Sequence, residues 1–342
     1  MEPVRNYSQS LKKVSFFLTT LKNILHVPVN VPSSVQYAIT DDCNMNCKMC
    51  PIHHVGTKME HADYDTFTRI VDRLDGVEEI SLVGLGEPLM HPRIMDAIAY
   101  CKSKQFIVKT TTNGLLLNSD KKIKELILSG LDTISISIDA INNFPEGAHN
   151  AHRVVNHIER LVELKKELST DIPRIVLQPI MFRNREADLY DIITWGATLG
   201  VHRVNVLRMH KYFDTDVVMD RPDRKEEKRI FTQLRILKKK YGIRVDCLQD
   251  QFFEGLKGLS YRYFKYFLRL DSFCTRLLNY PYISRDGDVM PCCVLPDYKF
   301  GNILESDLRD VWHNDKLKHF RKHHNSVLIC SQCDNWRINQ LV

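Results

Sequence analysis

Long apolar runs and a dominant charge are what this chain of 342 residues lacks. Its 48 Lys and Arg nearly balance its 42 Asp and Glu, and no basic stripe with interleaved aromatic residues points to nucleic acid. The segment at residues 11–25 is too short and too charged to span a bilayer. No signal peptide directs the chain to an oxidising compartment. We therefore expect a cytoplasmic protein without a nucleic-acid partner.

The composition is that of a globular protein large enough for about two domains. Hydrophobic residues make up 44% of the chain and charged residues 26%, which are ordinary values. Residues 1–34 form an extension whose segment 11–25 is typical of an amphipathic basic helix. We expect this helix to pack on the rest of the protein, as docked helices with a moderate apolar face do. Peripheral contact with a membrane surface is the alternative.

The ten cysteines fall mainly into two groups, at residues 43–50 and 274–333, which favours metal ligation in a reducing compartment. The first group is Cys43, Cys47 and Cys50. Three thiolates on one short loop can hold three corners of a cubane iron–sulfur cluster and leave the fourth iron open to an outside ligand. A zinc knuckle is the alternative, although structural zinc takes four ligands, usually in paired short spacings.

The spacing of these three cysteines resembles that of the radical S-adenosylmethionine (SAM) superfamily. The resemblance implies that they bind a [4Fe–4S] cluster whose open iron is chelated by the amino and carboxylate groups of SAM. One electron then cleaves SAM to methionine and a 5′-deoxyadenosyl radical. A low-potential donor such as flavodoxin or ferredoxin would supply that electron.

A glycine turn follows the next predicted strand. Gly84, Gly86 and Glu87 end the apolar run at residues 79–83, and glycines there let a ligand approach the backbone closely. In the superfamily a Gly-Gly-Glu element at this place contacts the amino group of SAM. Leu85 replaces one glycine here, a change that a backbone contact would survive.

Strand-like and helix-like segments alternate from residue 35, as in a parallel sheet with crossover helices. Strands are predicted at residues 35–40, 79–83, 106–111, 133–138, 175–180 and 203–207. Helices are predicted to begin near Asp63, Pro92, Lys121, Ala151, Glu186 and Arg224. Six such units predict an α/β fold, a partial (β/α)6 barrel rather than a closed eight-fold one, and the resemblance implies the same.

Ligand contacts are expected at the carboxyl ends of these strands. Asn113 ends the third strand in an Asn-Gly turn. Ser137 and Asp139 share one face at the end of the fourth, where the superfamily often contacts the ribose or carboxylate of SAM; the alternative is that Asp139 caps the following loop. Arg208 ends the sixth strand, where it could pair with a carboxylate of SAM or substrate, or could serve at the surface.

The second cysteine group comprises Cys274, Cys292, Cys330 and Cys333. A hairpin at residues 282–290, with its turn at Asp286-Gly287, lies between the first two of them. This arrangement resembles the auxiliary-cluster modules called SPASM and twitch. The resemblance implies one auxiliary [4Fe–4S] cluster with four cysteine ligands, and the single cluster favours the shorter, twitch-like form. A four-cysteine zinc site is the alternative.

The domain prediction is therefore an extension at 1–34, a barrel at 35–248, and a linker with an auxiliary cluster domain at 249–342. The aromatic segment at residues 251–273 is expected to bury between the two domains, or alternatively to face lipid or substrate. Cys293 could replace Cys292 as a ligand. Its other interpretation, shared with Cys101 and Cys247, is a small buried apolar residue.

The function implied by the resemblance is that of a radical SAM oxidoreductase. The substrate would lose a hydrogen atom to the radical and an electron to the auxiliary cluster. Dehydrogenation of a small molecule, such as a sugar or an amino-alcohol, is the first hypothesis. Modification of a precursor peptide or protein is the second, and a non-catalytic iron–sulfur or zinc scaffold is the third.

Overall fold

The computed structural model describes residues 31–47, 49–56, 58–142, 151–209, 221–247, 274 and 276–333. The predicted helix at residues 11–25 and the aromatic segment at 251–273 lie outside these residues. The predicted domain boundaries at residues 34 and 248 border the same gaps and stay predictions.

Strands and helices alternate from residue 34 to residue 247. The strands are β1 (Ser34–Tyr37), β2 (Glu79–Leu82), β3 (Ile107–Thr112), β4 (Thr133–Ser137), β5 (Arg174–Gln178), β6 (Ile180–Met181), β7 (Arg203–Arg208) and β8 (Val245–Cys247). The helices between them are α1 (Tyr64–Val71), α2 (Ile94–Ser103), α3 (Asp120–Leu128), α4 (Ala151–Glu167), α5 (Glu186–Leu199) and α6 (Arg224–Tyr241). The six predicted strands are present, although β1 ends at Tyr37 instead of residue 40 and the fifth is interrupted after Gln178, and the helices begin near the predicted residues.

Local signals set the ends of several helices. Asp63, Ser119 and Asp223 each accept a hydrogen bond from a backbone N–H in the first turn of α1, α3 and α6, which satisfies donors that the helix cannot. Gly200 and Gly242 end α5 and α6 in the left-handed conformation that glycine adopts without strain. These residues fix where the helices begin and end. Apolar side chains of the helices and of the sheet fill the core between them.

The barrel sheet is parallel and unclosed. Its strands run in the order β1, β2, β3, β4, β5, β7 and β8. The short strand β6 follows β5 along the chain and pairs with the carboxyl end of β7. The partial barrel is therefore confirmed. β8 adds a strand after Arg244 that was not among the predicted strands.

The carboxyl-terminal part continues the same sheet. It contains α7 (Arg276–Asn279), β9 (Tyr282–Ile283), β10 (Asp288–Met290), β11 (Gly301–Asn302), α8 (Leu308–His313), α9 (Asp315–His323) and α10 (Leu328–Gln332). The predicted hairpin is formed by β9 and β10, with Gly287 in its turn at φ +92°. β9 pairs in parallel with β1, so Gln36 lies opposite Tyr282. The barrel and the hairpin thus share one sheet.

Two of the remaining cysteines are buried as predicted. Cys101 lies on α2 and Cys247 on β8, both within the core. No helix in the described part of the chain combines the length and apolar character that crossing a membrane would need.

Candidate active site and metal centres

The loop after β1 brings together Cys43, Cys47 and Cys50, which are named the cysteine loop below. The backbone N–H of Cys50 donates to the carbonyl oxygen of Cys47 at 2.9 Å. Burial, and then the charges of Cys50 and Cys43, raise the pKa of the Cys47 thiol to about 11. Burial raises the pKa of all three thiols, and the charge of Cys50 adds to the rise at Cys43 and Cys47. Backbone hydrogen bonds from Met45 to Cys43 and from Ile52 to Cys50 stabilise the thiolate form.

The glycine turn after β2 packs directly against residues 40–42, which lead into the cysteine loop. A Cβ atom at Gly84 or at Gly86 would stand 2.7 Å from the carbonyl oxygen of Thr40, closer than side chains approach a backbone. The backbone N–H of Glu87 donates to the carbonyl oxygen of Asp42 at 2.7 Å. Glycine is therefore required here by chain-to-chain packing, which holds residues 40–42 in place just before Cys43.

The carboxylate of Glu87 joins the ends of β2 and β3. Its Oε1 accepts hydrogen bonds from the Thr112 hydroxyl at 2.7 Å and from the Leu89 N–H at 3.0 Å, and its Oε2 accepts from the Asn113 N–H at 2.7 Å. Burial raises the pKa of Glu87, and these three hydrogen bonds oppose the rise. The carboxylate thus has an internal role, and its contact with SAM stays a prediction.

We expect Glu87→Ala to lower the free energy of unfolding by about 3 kcal/mol, because one buried and two partly buried donors would lose their acceptor. Urea denaturation followed by circular dichroism measures this change. Glu305→Ala, at an exposed position, is the control and should change stability by less than about 0.5 kcal/mol. Equal effects of the two substitutions would contradict the role assigned to Glu87.

Asn113 connects the end of β3 to the cysteine loop. Its Nδ2 donates to Oδ1 of Asn44 at 2.7 Å, and its own Oδ1 accepts from the Leu115 N–H at 3.0 Å. Asn113 is therefore beside the predicted cluster site, as the sequence led us to expect of a strand end. The sequence did not indicate its partner Asn44, because nothing local links residues 44 and 113.

The end of β4 also faces the cysteine loop. The charge of Asp139 contributes to the raised pKa of the Cys47 thiol, after burial and the charges of Cys50 and Cys43. Oδ1 of Asp139 accepts from the backbone N–H of Ile180 at 2.8 Å, so the side chain also fastens β4 to β6. Burial raises the pKa of Asp139. Ser137 is exposed at the same strand end.

Arg208 forms a buried ion pair between β7 and α6. Its Nε and Nη2 donate to the two carboxylate oxygens of Glu227 at 2.6 Å each, and the arginine is only 2% exposed. This bidentate pair joins β7 to α6. The structure thus gives the guanidinium a carboxylate partner within the chain, and pairing with a carboxylate of SAM or substrate has no support from this geometry. The alternative of a surface role is wrong, because the side chain is buried.

The second cysteine group lines a partly enclosed cavity of about 60 Å³, named the auxiliary cavity below. The four predicted ligands all border it. They are Cys274, Cys292, Cys330 and Cys333. Cys293, Arg276 and His324 also line its wall. Burial, and then the charge of Cys333, raise the pKa of the Cys274 thiol to about 11.

The second cysteine group, whose four residues border one cavity, fits a cluster of several irons. In the described residues no three His, Cys, Asp or Glu side chains converge closely enough to hold a single metal ion. Zinc needs its four sulfurs at about 2.3 Å from one centre. In a cubane cluster each cysteine binds a different iron, so the thiols surround a space instead of converging on a point. The cysteine-lined cavity has this second geometry.

The hairpin of the carboxyl-terminal part contacts both flanks of the cysteine loop through Arg285. Its guanidinium donates to Glu60 at 2.6 Å and to the carbonyl oxygen of Lys58 at 3.0 Å, and it lies 3.5 Å from Asp41. The Tyr37 hydroxyl donates to the Arg285 carbonyl oxygen at 2.8 Å. Burial raises the pKa of Asp41 to about 6, although Arg285 opposes this. These contacts had no local signal in the sequence.

Two family models match the chain. The radical SAM superfamily model matches residues 37–194, and the model of an iron–sulfur cluster-binding domain, SPASM, matches residues 274–334. The two matches contain all seven cysteines of the two groups and the glycine turn. Their order along the chain is that of the barrel followed by the auxiliary cavity.

Two known proteins are similar to this chain over most of its length. The tungsten-containing aldehyde ferredoxin oxidoreductase cofactor-modifying protein of Pyrococcus furiosus is 27% identical over 310 residues, which cover 83% of this chain and 81% of that protein. The AdoMet-dependent heme synthase of Methanosarcina barkeri is 25% identical over 319 residues, 86% of this chain and 85% of that protein.

The fold is that of Streptococcus suis SuiB, whose structure was solved with bound S-adenosylmethionine. The two structures superpose with a TM-score of 0.69 at 16% identity, over 97% of this chain and 77% of SuiB. At this identity the likeness concerns the fold alone. The two family models, which together match more than half of the chain, show that it belongs to the radical SAM superfamily as an enzyme with a SPASM domain, whose cofactors are [4Fe–4S] clusters and SAM.

Proposed function

We propose that this enzyme oxidises an organic small molecule by two electrons, with SAM cleavage at the cysteine loop and electron acceptance at the auxiliary cavity. The observation that carries the proposal is the cavity bordered by four cysteines, beside a hairpin that shares one sheet with the strand leading into the cysteine loop. When bound, the first cluster supplies the electron that cleaves SAM to methionine and a 5′-deoxyadenosyl radical, and the auxiliary cluster supplies a one-electron acceptor.

The balance of this reaction is that of a dehydrogenation. The substrate gives one hydrogen atom to the 5′-deoxyadenosyl radical, which becomes 5′-deoxyadenosine. It then loses one electron and one proton, which completes a two-electron oxidation such as alcohol to ketone. One SAM is consumed for each product molecule.

The chain contributes position and burial. The glycine turn holds residues 40–42 under the cysteine loop, and Asn113 fixes the loop from the end of β3. Asp139 fastens the end of β4 beside the same loop, and Arg285 fastens both of its flanks to the hairpin. Contacts of this kind keep reacting groups in place, which is where a protein adds most to cofactor chemistry.

A small molecule is the substrate class we favour. Two relatives that cover more than three quarters of this chain are named for a cofactor and for heme, which are both small molecules. A peptide is the second candidate, since the fold also superposes on SuiB bound to its precursor peptide SuiA. That likeness concerns the fold and does not identify a substrate.

The proposed SAM chemistry is tested by incubating the iron-reconstituted protein anaerobically with dithionite and SAM. We expect 5′-deoxyadenosine to form, and to form only when both dithionite and SAM are present. Chromatography with mass spectrometry measures it. If none forms while iron and sulfide are fully loaded, the proposal fails and the scaffold hypothesis replaces it.

The substrate class is tested by tracing the hydrogen atom that 5′-deoxyadenosine takes from the substrate. We expect 5′-deoxyadenosine to acquire deuterium when the enzyme turns over with a whole extract of cells grown in deuterated medium, which contains both small molecules and peptides. The extract is divided, and one half is treated with protease beforehand. Deuterium incorporation that survives the protease supports a small molecule. Incorporation that the protease abolishes would instead establish the peptide alternative.

A further inference from the structure

A buried cation borders the auxiliary cavity. Arg276 belongs to α7, two residues after Cys274, and is only 6% exposed. Its side chain lines the same cavity wall as the thiols of Cys292 and Cys293. Arginine keeps its charge in proteins even when buried. The auxiliary cavity therefore has a fixed positive charge in its wall.

The thiols of Cys292 and Cys293 border the auxiliary cavity together with this guanidinium. The guanidinium also lies over the Tyr280 ring, 5.0 Å from its centroid. Burying a cation is costly unless a nearby anion compensates it. Thiolates around a cluster would supply that compensation.

A strand of the barrel holds the guanidinium in place. Nη2 of Arg276 donates to Oε1 of Gln36 on β1. The amide nitrogen of Gln36 in turn donates to the carbonyl oxygen of Val83 at 2.9 Å. Both polar ends of the Gln36 side chain are thus used, and the charge is fixed relative to the cavity and to the glycine turn that begins at Gly84.

We propose that Arg276 is the built-in counter-cation of the auxiliary cluster and raises its reduction potential, with Gln36 fixing the position of the charge. The proposal rests on the proposed function of the auxiliary cavity as a cluster site. A [4Fe–4S] cluster with four thiolates is an anion, and reduction adds one more negative charge. A fixed cation in a poorly polarisable interior stabilises the reduced form more than the oxidised form. Arg276 thereby favours acceptance of the substrate's electron.

The test is the midpoint potential of the auxiliary cluster in full-length protein with alanine at Cys43, Cys47 and Cys50, so that only one cluster contributes to the signal. We expect Arg276→Gln to lower the equilibrium constant for reduction of the cluster by about tenfold or more. For a one-electron couple this is a fall of about 59 mV in the midpoint potential. Arg276→Lys keeps the charge and should retain most of the potential. Electron paramagnetic resonance during a redox titration measures each value.

Arg321→Gln is the matched control. Arg321 is another largely buried arginine of the same part of the chain, stacked on the Trp312 ring at 4.3 Å from its centroid, and it does not line the cavity. Its removal should shift the potential much less. A shift as large as that of Arg276→Gln, or no shift in Arg276→Gln, would overturn the proposal.

Loading of the auxiliary cluster separates failure of this proposal from failure of the proposed function. If wild-type protein loads no auxiliary iron, the proposed function of the cavity fails, and this differs from a loaded cluster whose potential ignores Arg276. If Arg276→Gln does not load a cluster, the potential is measured in Gln36→Leu instead. This variant keeps the charge of Arg276 but removes the hydrogen bond that holds its guanidinium in place. We expect an intermediate fall in potential there, and an unchanged potential in Gln36→Leu would then overturn the proposal.

Discussion

Protein with alanine at Cys43, Cys47 and Cys50 is expected to form no 5′-deoxyadenosine above the level seen without dithionite. The three thiols are the only cysteines of the loop after β1, and a cluster there would lose every protein ligand. The auxiliary cavity keeps its own four cysteines, so iron should fall by about four per chain and not to zero. Iron analysis and the SAM cleavage assay on the same sample measure both effects.

Cys101→Ala is the control for loss of a cysteine. Cys101 is fully buried on α2 and outside both cysteine groups, so its replacement should cost only about 1 kcal/mol of stability. Its SAM cleavage should match that of the wild type. If the triple variant still cleaved SAM, or if Cys101→Ala abolished cleavage, the assignment of the first cluster to the cysteine loop would be wrong.

Gly86→Ala is expected to reduce SAM cleavage by about 100-fold, with a loss of about 3 kcal/mol in the free energy of unfolding. Its Cβ would stand 2.7 Å from the Thr40 carbonyl oxygen and equally close to the carbonyl carbon of Asp41. Both neighbours are backbone atoms, so neither can rotate away. Relief requires movement of residues 40–42, and Cys43 moves with them.

Gly242→Ala separates this displacement from general destabilisation. Gly242 ends α6 at φ +65°, and a Cβ there would meet no atom within 4 Å. Alanine in that conformation costs about 1–2 kcal/mol through strain alone. We expect lower stability with wild-type SAM cleavage. Equal loss of cleavage in both variants would mean that stability, not the position of the cysteine loop, limits the reaction.

Local patterns predicted the barrel well and long-range pairing poorly. The strand that became β2 and the helix that begins at Glu186 both show their period within a few residues, which is enough to place them. The three residues of β8 are too few to show a period. The pairing of β1 with β9 joins segments about 245 residues apart, and no local rule predicts it.

The same limit applies to the candidate site. Cys43 and its neighbours were recognisable because their ligand chemistry depends on spacing along the chain. The roles of Glu87 and Arg208 depend on partners brought from other strands and helices, and the sequence offered only their residue types. A carboxylate or guanidinium at a strand end can serve a ligand or the fold, and only its neighbours distinguish the two.

The pairing of β9 with β1 has a consequence for how electrons could travel. Neighbouring strands lie about 4.8 Å apart, so the hairpin before the auxiliary cavity is one strand from the strand that leads into the cysteine loop. Arg285 adds a second connection from the hairpin to that loop. One hydrogen-bonded sheet therefore holds the hairpin beside the strand that leads into the cysteine loop. Under the proposed function, electron exchange between the two clusters would need no movement of the hairpin relative to the barrel.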